Sequence, residues 1–348
     1  MKKFLLISAI LFLIFAVKNN YSQLLLEENF SYPAGDSITQ HGWTGHSGST
    51  NMAIVSPGLT YTNYPPSGIG NALKLDTVGV SGMDVNKTFT ADSSGSVYAS
   101  YMVKVLYAST AGDYYFHLGN TVIGSTFRPK LFIKDEGGSV KFGISKGSNT
   151  GTFAPANYLY NTTYLIVMKY TFVAGASNDE VSMFVFTSPT VPSTEPGTPT
   201  VGPLTDASQS DLGNAGCVAI RQGVNTARPI LHIDGIRVTK SWSYIVGVQN
   251  ITNEVPGAFE LKQNYPNPFN PSTTIEFSVK SLSFVTVNVF DALGRIVSSP
   301  VNDKLTAGTY KVNFNAASLS SGVYYYKINA TDNLGNNFVD TKSMILVK

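Results

Sequence analysis

Strict two-residue alternation of apolar side chains is the property that most restricts what this 348-residue chain can fold into. In SVYASYMVKV, the residues Val97, Ala99, Tyr101, Val103 and Val105 alternate with Tyr98, Ser100, Met102 and Lys104. TYLIVMKYTF repeats the pattern through Tyr164, Ile166, Met168, Tyr170 and Phe172. Only an extended strand places every second side chain on one face. EVSMFVF follows the second run after a turn rich in Gly, Ser and Asn, which predicts an antiparallel hairpin. Beyond the first 22 residues no long window holds apolar residues at the three- and four-residue spacing of a helix, so the chain is expected to be all-β. Near residue 231 the parity switches: Leu231 and Ile233 are odd, Ile236 and Val238 even. The slip at Asp234-Gly235 predicts a β-bulge.

Lys and Arg total 24 against 22 Asp and Glu, a net charge of +2 that supplies no basic field for a nucleic acid. Charged residues are only 13% of the chain, about half the usual share, so the surface must be built from Ser, Thr and Asn. That composition suits an exported β-protein better than a cytosolic helical enzyme. Residues 1–22 read as a signal peptide, with Lys2 and Lys3 ahead of the apolar stretch Phe4 to Val17 and a small residue, Ser22, before a cut. A run of 14 residues is short of the roughly 20 that cross a bilayer as a helix, and no later run is longer, so no transmembrane segment is expected. The single cysteine, Cys217, can form no internal disulfide.

Ser188 to Pro203 is rich in Pro, Gly and Thr and reads as a surface loop inserted in one sandwich, since alternation resumes at Cys217 and again at Leu231. Regular alternation is lost after Trp242. The expected domains are therefore 23–244, a linker 245–258, and a terminal module 259–348. The last of these contains about seven short strand-like runs, among them Ile275–Val279, Val285–Val289, Tyr310–Phe314 and Val323–Ile328, which suits an immunoglobulin-like sandwich.

The terminal module also carries NYPNPFNPSTTIEF at 264–277, VFDALGRIV at 289–297, LTAGTYKVNF at 305–314, LSSGVYYYKI at 319–328 and the ending KSMILVK. In this order they resemble the type A C-terminal sorting domain of the type IX secretion system of Bacteroidetes and related bacteria. The resemblance rests on Tyr265, Pro266, Asn267, Pro268, Phe269, Asn270, Pro271, Gly294, Gly322 and Lys348 with their neighbours. It implies export through the periplasm and across the outer membrane by the type IX translocon, followed by removal of the module by a sortase in the linker before Phe259. The rest of the chain would then be secreted or held on the outer cell surface. Pro266, Pro268 and Pro271 restrict the opening segment to extended and turn conformations. Gly294 and Gly322 suit turns of positive φ, and Lys342 and Lys348 on the last strand are candidates for translocon contact.

The start LLLEENFSYPAGDSI and the finish LHIDGIRVTKSW of the main domain resemble the paired first and last strands of concanavalin-like or laminin-G-like jelly rolls. A jelly-roll-like antiparallel sandwich is expected, and many jelly rolls clip those strands with calcium. Glu27 or Glu28 would then meet Asp234, against the simpler alternative of an Asp234–Arg237 ion pair. Glycoside hydrolysis needs two carboxyl groups facing one cleft. The spacing Glu-x-Asp-x-x-Glu is absent, Glu27 and Glu28 are neighbours that point to opposite faces, and Asp135, Glu136, Glu180 and Glu195 fall at turns. His41 and His46 flank Trp43 without a third zinc ligand in pattern, His117 and His232 sit in strand-like runs, and Cys217 lies among apolar residues. No nucleophile elbow or phosphate loop occurs. Tyr61 and Tyr64, on the Pro/Gly-rich loop GLTYTNYPPSG, are candidates for stacking on sugar rings, the alternative being a loop plugged into the sandwich. The expectation is a non-catalytic binding or adhesion domain, for extracellular polysaccharide. A polysaccharide-degrading hydrolase or lyase, or a structural surface-layer component, stays open beside it.

Overall fold

The computed structural model describes residues 24–76, 82–189, 191–192, 194–223, 227–252, 254–316 and 319–348. The expected signal peptide, 1–22, lies outside the described residues.

The first sandwich opens with β1 (Leu24–Glu28), β2 (Thr44–Ser47), β3 (Ala53–Val55), β4 (Ala72–Leu75) and β5 (Asp84–Asp92). It continues with β6 (Ser96–Tyr107), β7 (Asp113–Gly119), β8 (Phe127–Glu136), β9 (Ser139–Ser145) and β10 (Thr152–Phe153). β11 (Thr163–Thr171), β12 (Glu180–Thr187), β13 (Val201–Leu204), β14 (Ala215–Ile220) and β15 (Ile230–Thr239) complete it. One sheet runs β13-β12-β11-β6-β15-β4-β3, with β1 also on β15; the other runs β10-β9-β8-β7-β14-β5-β2. All pairings in both are antiparallel, and the hairpin predicted from alternation is β11–β12, in register from Tyr164 opposite Thr187 to Thr171 opposite Glu180. The fold is the expected all-β, jelly-roll-like sandwich.

Alternation explains the layering. Val97, Ala99, Tyr101, Val103 and Val105 are buried between the sheets against Phe116, Leu118, Leu131, Ile144 and Ile220 of the facing layer. Each buried valine, leucine, isoleucine or phenylalanine among them contributes about 1.5–3 kcal/mol. The intervening residues of the eight-stranded sheet, such as Tyr98, Met102, Leu165 and Val167, form a second cluster on its outer face. Leu59, Tyr61 and Tyr64 from the loop before β4, and Trp242 and Ile245 of the one-turn helix α1 (Trp242–Ile245), cover that cluster. One outer face is thus closed by the chain itself.

The predicted bulge is present. β15 pairs with β4 from Leu231 to Ile233 and with β1 from Ile236 to Thr239, so the first and last strands meet. Its register on β6 shifts between Asp234 and Arg237. Gly235 takes φ 61°, and a Cβ there would lie 2.5 Å from Pro66 Cβ, so only glycine fits beneath the covering loop.

The terminal module is a second sandwich. Its strands are β16 (Val248–Thr252), β17 (Glu260–Leu261), β18 (Ser272–Val279), β19 (Ser283–Phe290), β20 (Ile296–Leu305), β21 (Gly308–Asn315), β22 (Gly322–Asp332) and β23 (Asn337–Leu346). They form the sheets β16-β21-β18-β17 and β20-β19-β22-β23 around Ile275, Phe277, Val287, Tyr310, Tyr326 and Ile328. The stretch 245–258 is not a free linker: β16 lies within it and pairs with β21, from Val248 opposite Val312 to Thr252 opposite Thr309. A five-residue edge strand is too short to show alternation in sequence.

The proline-rich opening segment works as a clamp. Phe269 is buried in this core, its N–H donates to Ile345 O at 2.9 Å, and its carbonyl accepts from Val347 N at 3.0 Å. Asn267 Oδ1 accepts from Ile345 N at 2.9 Å, and Asn264 N donates to Tyr326 Oη at 2.7 Å. Pro271 O accepts from Ala316 N, Tyr265 bridges Thr274 with its ring exposed, and Pro266, Pro268 and Asn270 lie on the surface between. Gly294 takes φ 78° in its turn, as expected. Gly322 does not turn: it opens β22 at φ 159°, nearly extended. Lys348 N donates to Ser321 Oγ.

Candidate functional site

Two of the sequence-derived sites are corrected by the structure. Tyr61 and Tyr64 are 1% and 2% exposed, so neither ring can meet a sugar. Tyr64 Oη donates to Gly235 O at 2.7 Å and lies 3.0 Å from Ser100 Oγ, pinning the loop onto the bulge. An aromatic-rich loop gains more by burying its rings against the bare outer face of the sheet than by exposing them. The groove of about 600 Å³ beside this loop has the terminal sandwich as its other wall and no charged residue in its lining.

The calcium set does not assemble either. Glu27 pairs with Arg237 at 3.1 Å, and its neighbour Glu28 points the other way. Glu28 accepts from Phe30 N (2.8 Å), Tyr32 Oη (3.0 Å), Trp43 Nε1 (3.1 Å) and the Lys87 ammonium, so its charge is already met by four donors, one of them a cation. Asp234 Oδ2 accepts from Leu59 N at 2.7 Å, and burial pushes this carboxyl up to about 7. Calcium wants six to eight oxygens, and among the described residues no three His, Cys, Asp or Glu side chains converge. The residues present do not fit the ion. The Asp234–Arg237 pair is replaced by Glu27–Arg237, since Glu27 lies directly opposite Arg237 on β1.

His41 pairs with Asp36 and stacks on Tyr32, whereas His46 contacts Asn86, so the two histidines share no ligand position. Burial pushes the Cys217 thiol up to about 12, which leaves it an unreactive core group.

The outer face of the seven-stranded sheet carries rows of largely buried residues that lead to a hollow at their end. Residues directly opposite one another share a face, and Asn86, Ala219, His117, Lys130 and Ser145 form one such row across five strands. A parallel row brings Tyr114, Phe132, Gly143 and Phe153 together. Gly143 is required there, since a Cβ would lie 2.7 Å from the Phe153 ring. His117, 1% exposed, donates from Nδ1 to Leu118 O at 2.9 Å, and burial lowers it to about 3, so it is neutral. Its ring centroid lies 4.4 Å from that of Phe127.

At the end of these rows lies a hollow of about 580 Å³, walled by Tyr114, Phe127, Arg128, Lys130, Asn149 and Gln209 among others, with no carboxylate in its lining. Lys130 Nζ donates to Asn149 Oδ1 at 2.8 Å and sits 4.8 Å from the Tyr114 ring centroid. The Arg221 guanidinium lies 4.2 Å from the same ring. Burial lowers the Lys130 ammonium, and the neighbouring Arg128 and Arg221 cations lower it further. The sequence reading missed these residues. Their signal was the basic alternation of FRPKLFIK, where Arg128, Lys130 and Lys134 face away from Leu131 and Ile133.

Asp84 and Asp113 flank Arg221 at 3.9 Å and 2.6 Å, and Glu136, farther along β8, pairs with Lys134 at 2.7 Å. Asp84 Oδ1 also accepts from Gln222 N, and Asp113 Oδ1 from Tyr114 N.

Residues 263–339 match the family described as the secretion system C-terminal sorting domain. No curated protein matches the sequence. Among solved structures, domain 4 of AbnA, an extracellular arabinanase from Geobacillus stearothermophilus, in complex with arabinotriose, is similar at 13% identity. That alignment covers 63% of this chain and 93% of the other, with a TM-score of 0.35. The carbohydrate recognition domain of Emp46p is 10% identical over 63% of this chain and 96% of its own, with a TM-score of 0.31. A beta-1,3-glucanase from Mycobacterium marinum is 12% identical over 62% and 98%, with a TM-score of 0.34. Among the described residues no helix is long and apolar enough to cross a membrane.

Proposed function

We propose that the chain, addressed to the cell surface or beyond it by its C-terminal sorting domain, carries in its first sandwich a non-catalytic binding and adhesion domain for extracellular polysaccharide. The observation that carries this reading is the hollow on the seven-stranded sheet. Two rings, Tyr114 and Phe127, stand beside the amide groups of Asn149 and Gln209 and the hydroxyls of Ser125, Ser148 and Thr150. A wall of this kind offers a face for stacking and a rim of donors and acceptors for sugar hydroxyls. Absence of catalysis is supported by the state of the acids: Asp84 and Asp113 are both engaged by Arg221 and by backbone N–H groups. Neither is placed to shuttle a proton or attack an anomeric carbon. The type IX translocon and a sortase are the partners of the terminal module in this reading.

The experiment is binding of the full chain to a panel of immobilised plant and algal polysaccharides, with reducing-end release followed in parallel. Retention of at least one polysaccharide, weakened about tenfold or more by Tyr114→Ala, with no release of sugar, is the expected result. Release of reducing ends would overturn the non-catalytic assignment, and absence of binding to every polysaccharide would overturn the binding one.

A further inference from the structure

We propose that the hollow selects an anionic saccharide, one bearing carboxylate or sulfate groups, and that Arg128 and Lys130 are the residues that hold the anion. This inference rests on the polysaccharide-binding reading above and narrows it to a ligand class.

Basic side chains of the first sandwich are generally ion-paired: Lys87 with Glu28, Lys146 with Asp211, Lys169 with Glu195, Arg237 with Glu27 and Lys240 with Asp92. Arg128 and Lys130 depart from that habit. They are 8% and 6% exposed, stand on one strand two residues apart and hence on one face, and make no ion pair among the described residues. Every acceptor they reach is neutral. The Arg128 guanidinium donates to Ser210 O, to Phe127 O at 3.2 Å and to Ser210 Oγ at 3.4 Å, and Lys130 donates to Asn149. Asp206 and Asp211 act on Arg128, and Asp113 on Lys130, only through space and from outside the lining, so two sequestered cations of like sign still lack a carboxylate in contact, which is costly. An anion entering the hollow relieves that cost, and a guanidinium suits a planar carboxylate or a sulfate in particular.

The guanidinium lies against the backbone of Gly147, where any added side chain would push it aside. A Cβ on Gly147 would fall 2.0 Å from Arg128 Nη1 and 2.6 Å from its Cζ. The loop that supplies Ser148, Asn149 and Thr150 to the rim therefore begins by lying flat against the cation. The site is too small and too weakly charged for a polyphosphate backbone, since a net charge of +2 leaves no surrounding field. A single acidic group on a hydroxyl-rich ligand matches it.

The test uses the full chain and two matched pairs: polygalacturonate with its fully methyl-esterified form, and a sulfated galactan with its desulfated form. Each pair shares a backbone and differs in charge. The expected result is that the acidic member of at least one pair binds about tenfold or more tighter, as one charge-assisted hydrogen bond requires. Which pair discriminates tells carboxylate from sulfate. Lys130→Gln, and separately Gly147→Ala, should bring the affinity ratio close to one, with near-ultraviolet dichroism confirming the fold. Should Gly147→Ala fail to fold, Lys130→Gln decides alone. Equal binding within both pairs, or a ratio untouched by Lys130→Gln, would overturn the anionic selectivity and leave the polysaccharide reading standing. Failure to bind any polysaccharide, charged or neutral, overturns both.

Discussion

Replacing Glu28 by alanine is expected to be among the most damaging single changes in the first sandwich. Its carboxylate is 4% exposed and joins the two sheets: it lies on β1, while Lys87 belongs to β5 and Trp43 precedes β2. Removal strips the Lys87 ammonium of the carboxylate it pairs with and leaves the Trp43 and Phe30 N–H groups without the acceptor they use. Breaking a buried pair costs about 3–5 kcal/mol, and each stranded donor about 1–3 kcal/mol, although the two are not additive. The Lys87 side chain is 22% exposed and can swing toward water, so a loss of about 3–4 kcal/mol is expected. For a domain of this size that lowers the melting temperature by about 6–16 °C. Glu28→Gln keeps one acceptor and removes the charge, and should fall between parent and Glu28→Ala. Thermal unfolding followed by near-ultraviolet dichroism, which reports the Trp43 environment, measures the series. Glu28→Ala melting within about 2 °C of the parent would refute the reasoning.

Two further changes probe separate parts of the fold. Burial holds Asp234 at about 7, whereas an unfolded Asp titrates near 3.9, so between those values the native state binds a proton that the unfolded chain has released. Stability should therefore decline from about pH 4 to pH 7, and Asp234→Asn should flatten that part of the profile when urea midpoints are compared across it; an unchanged slope would assign the dependence to another group. Phe269→Ala removes a ring that is 2% exposed and should cost the terminal sandwich about 3–5 kcal/mol. Hydrogen exchange at Val347, whose N–H donates to Phe269 O, should accelerate with it, and retained protection would show that the clamp does not depend on the ring.

Much of the scaffold is legible in the residues because alternation is a local property. The parity switch at Asp234-Gly235 locates the bulge, and the apolar odd positions of 97–105 locate the core face. What sequence does not reveal is which outer face the chain itself covers. Tyr61 and Tyr64 on a Pro/Gly-rich loop are compatible with display and with burial, and the choice depends on whether Met102, Leu165 and Phe184, far along the chain, need a cover. The hollow escapes for a related reason. Lys130 meets Asn149 only through the β8–β9 pairing, and Gln209 arrives from a loop some 80 residues away. Each residue alone looks like an ordinary polar surface group.

The position of β16 separates two events that are easily treated as one. By sequence this strand precedes the terminal sandwich, but by hydrogen bonding it is an edge strand of that sandwich, laddered to β21 over Val248–Thr252. Cutting the chain between 254 and 258 would leave β16 on the upstream fragment and its partner strand on the downstream one. The two pieces would still be zipped together, as in a nicked protein that keeps its shape, until the strand peeled away. Scission upstream of Val248 would instead let the pieces drift apart at once. Where the backbone is broken thus sets whether parting is instantaneous or waits on the lifetime of one short ladder.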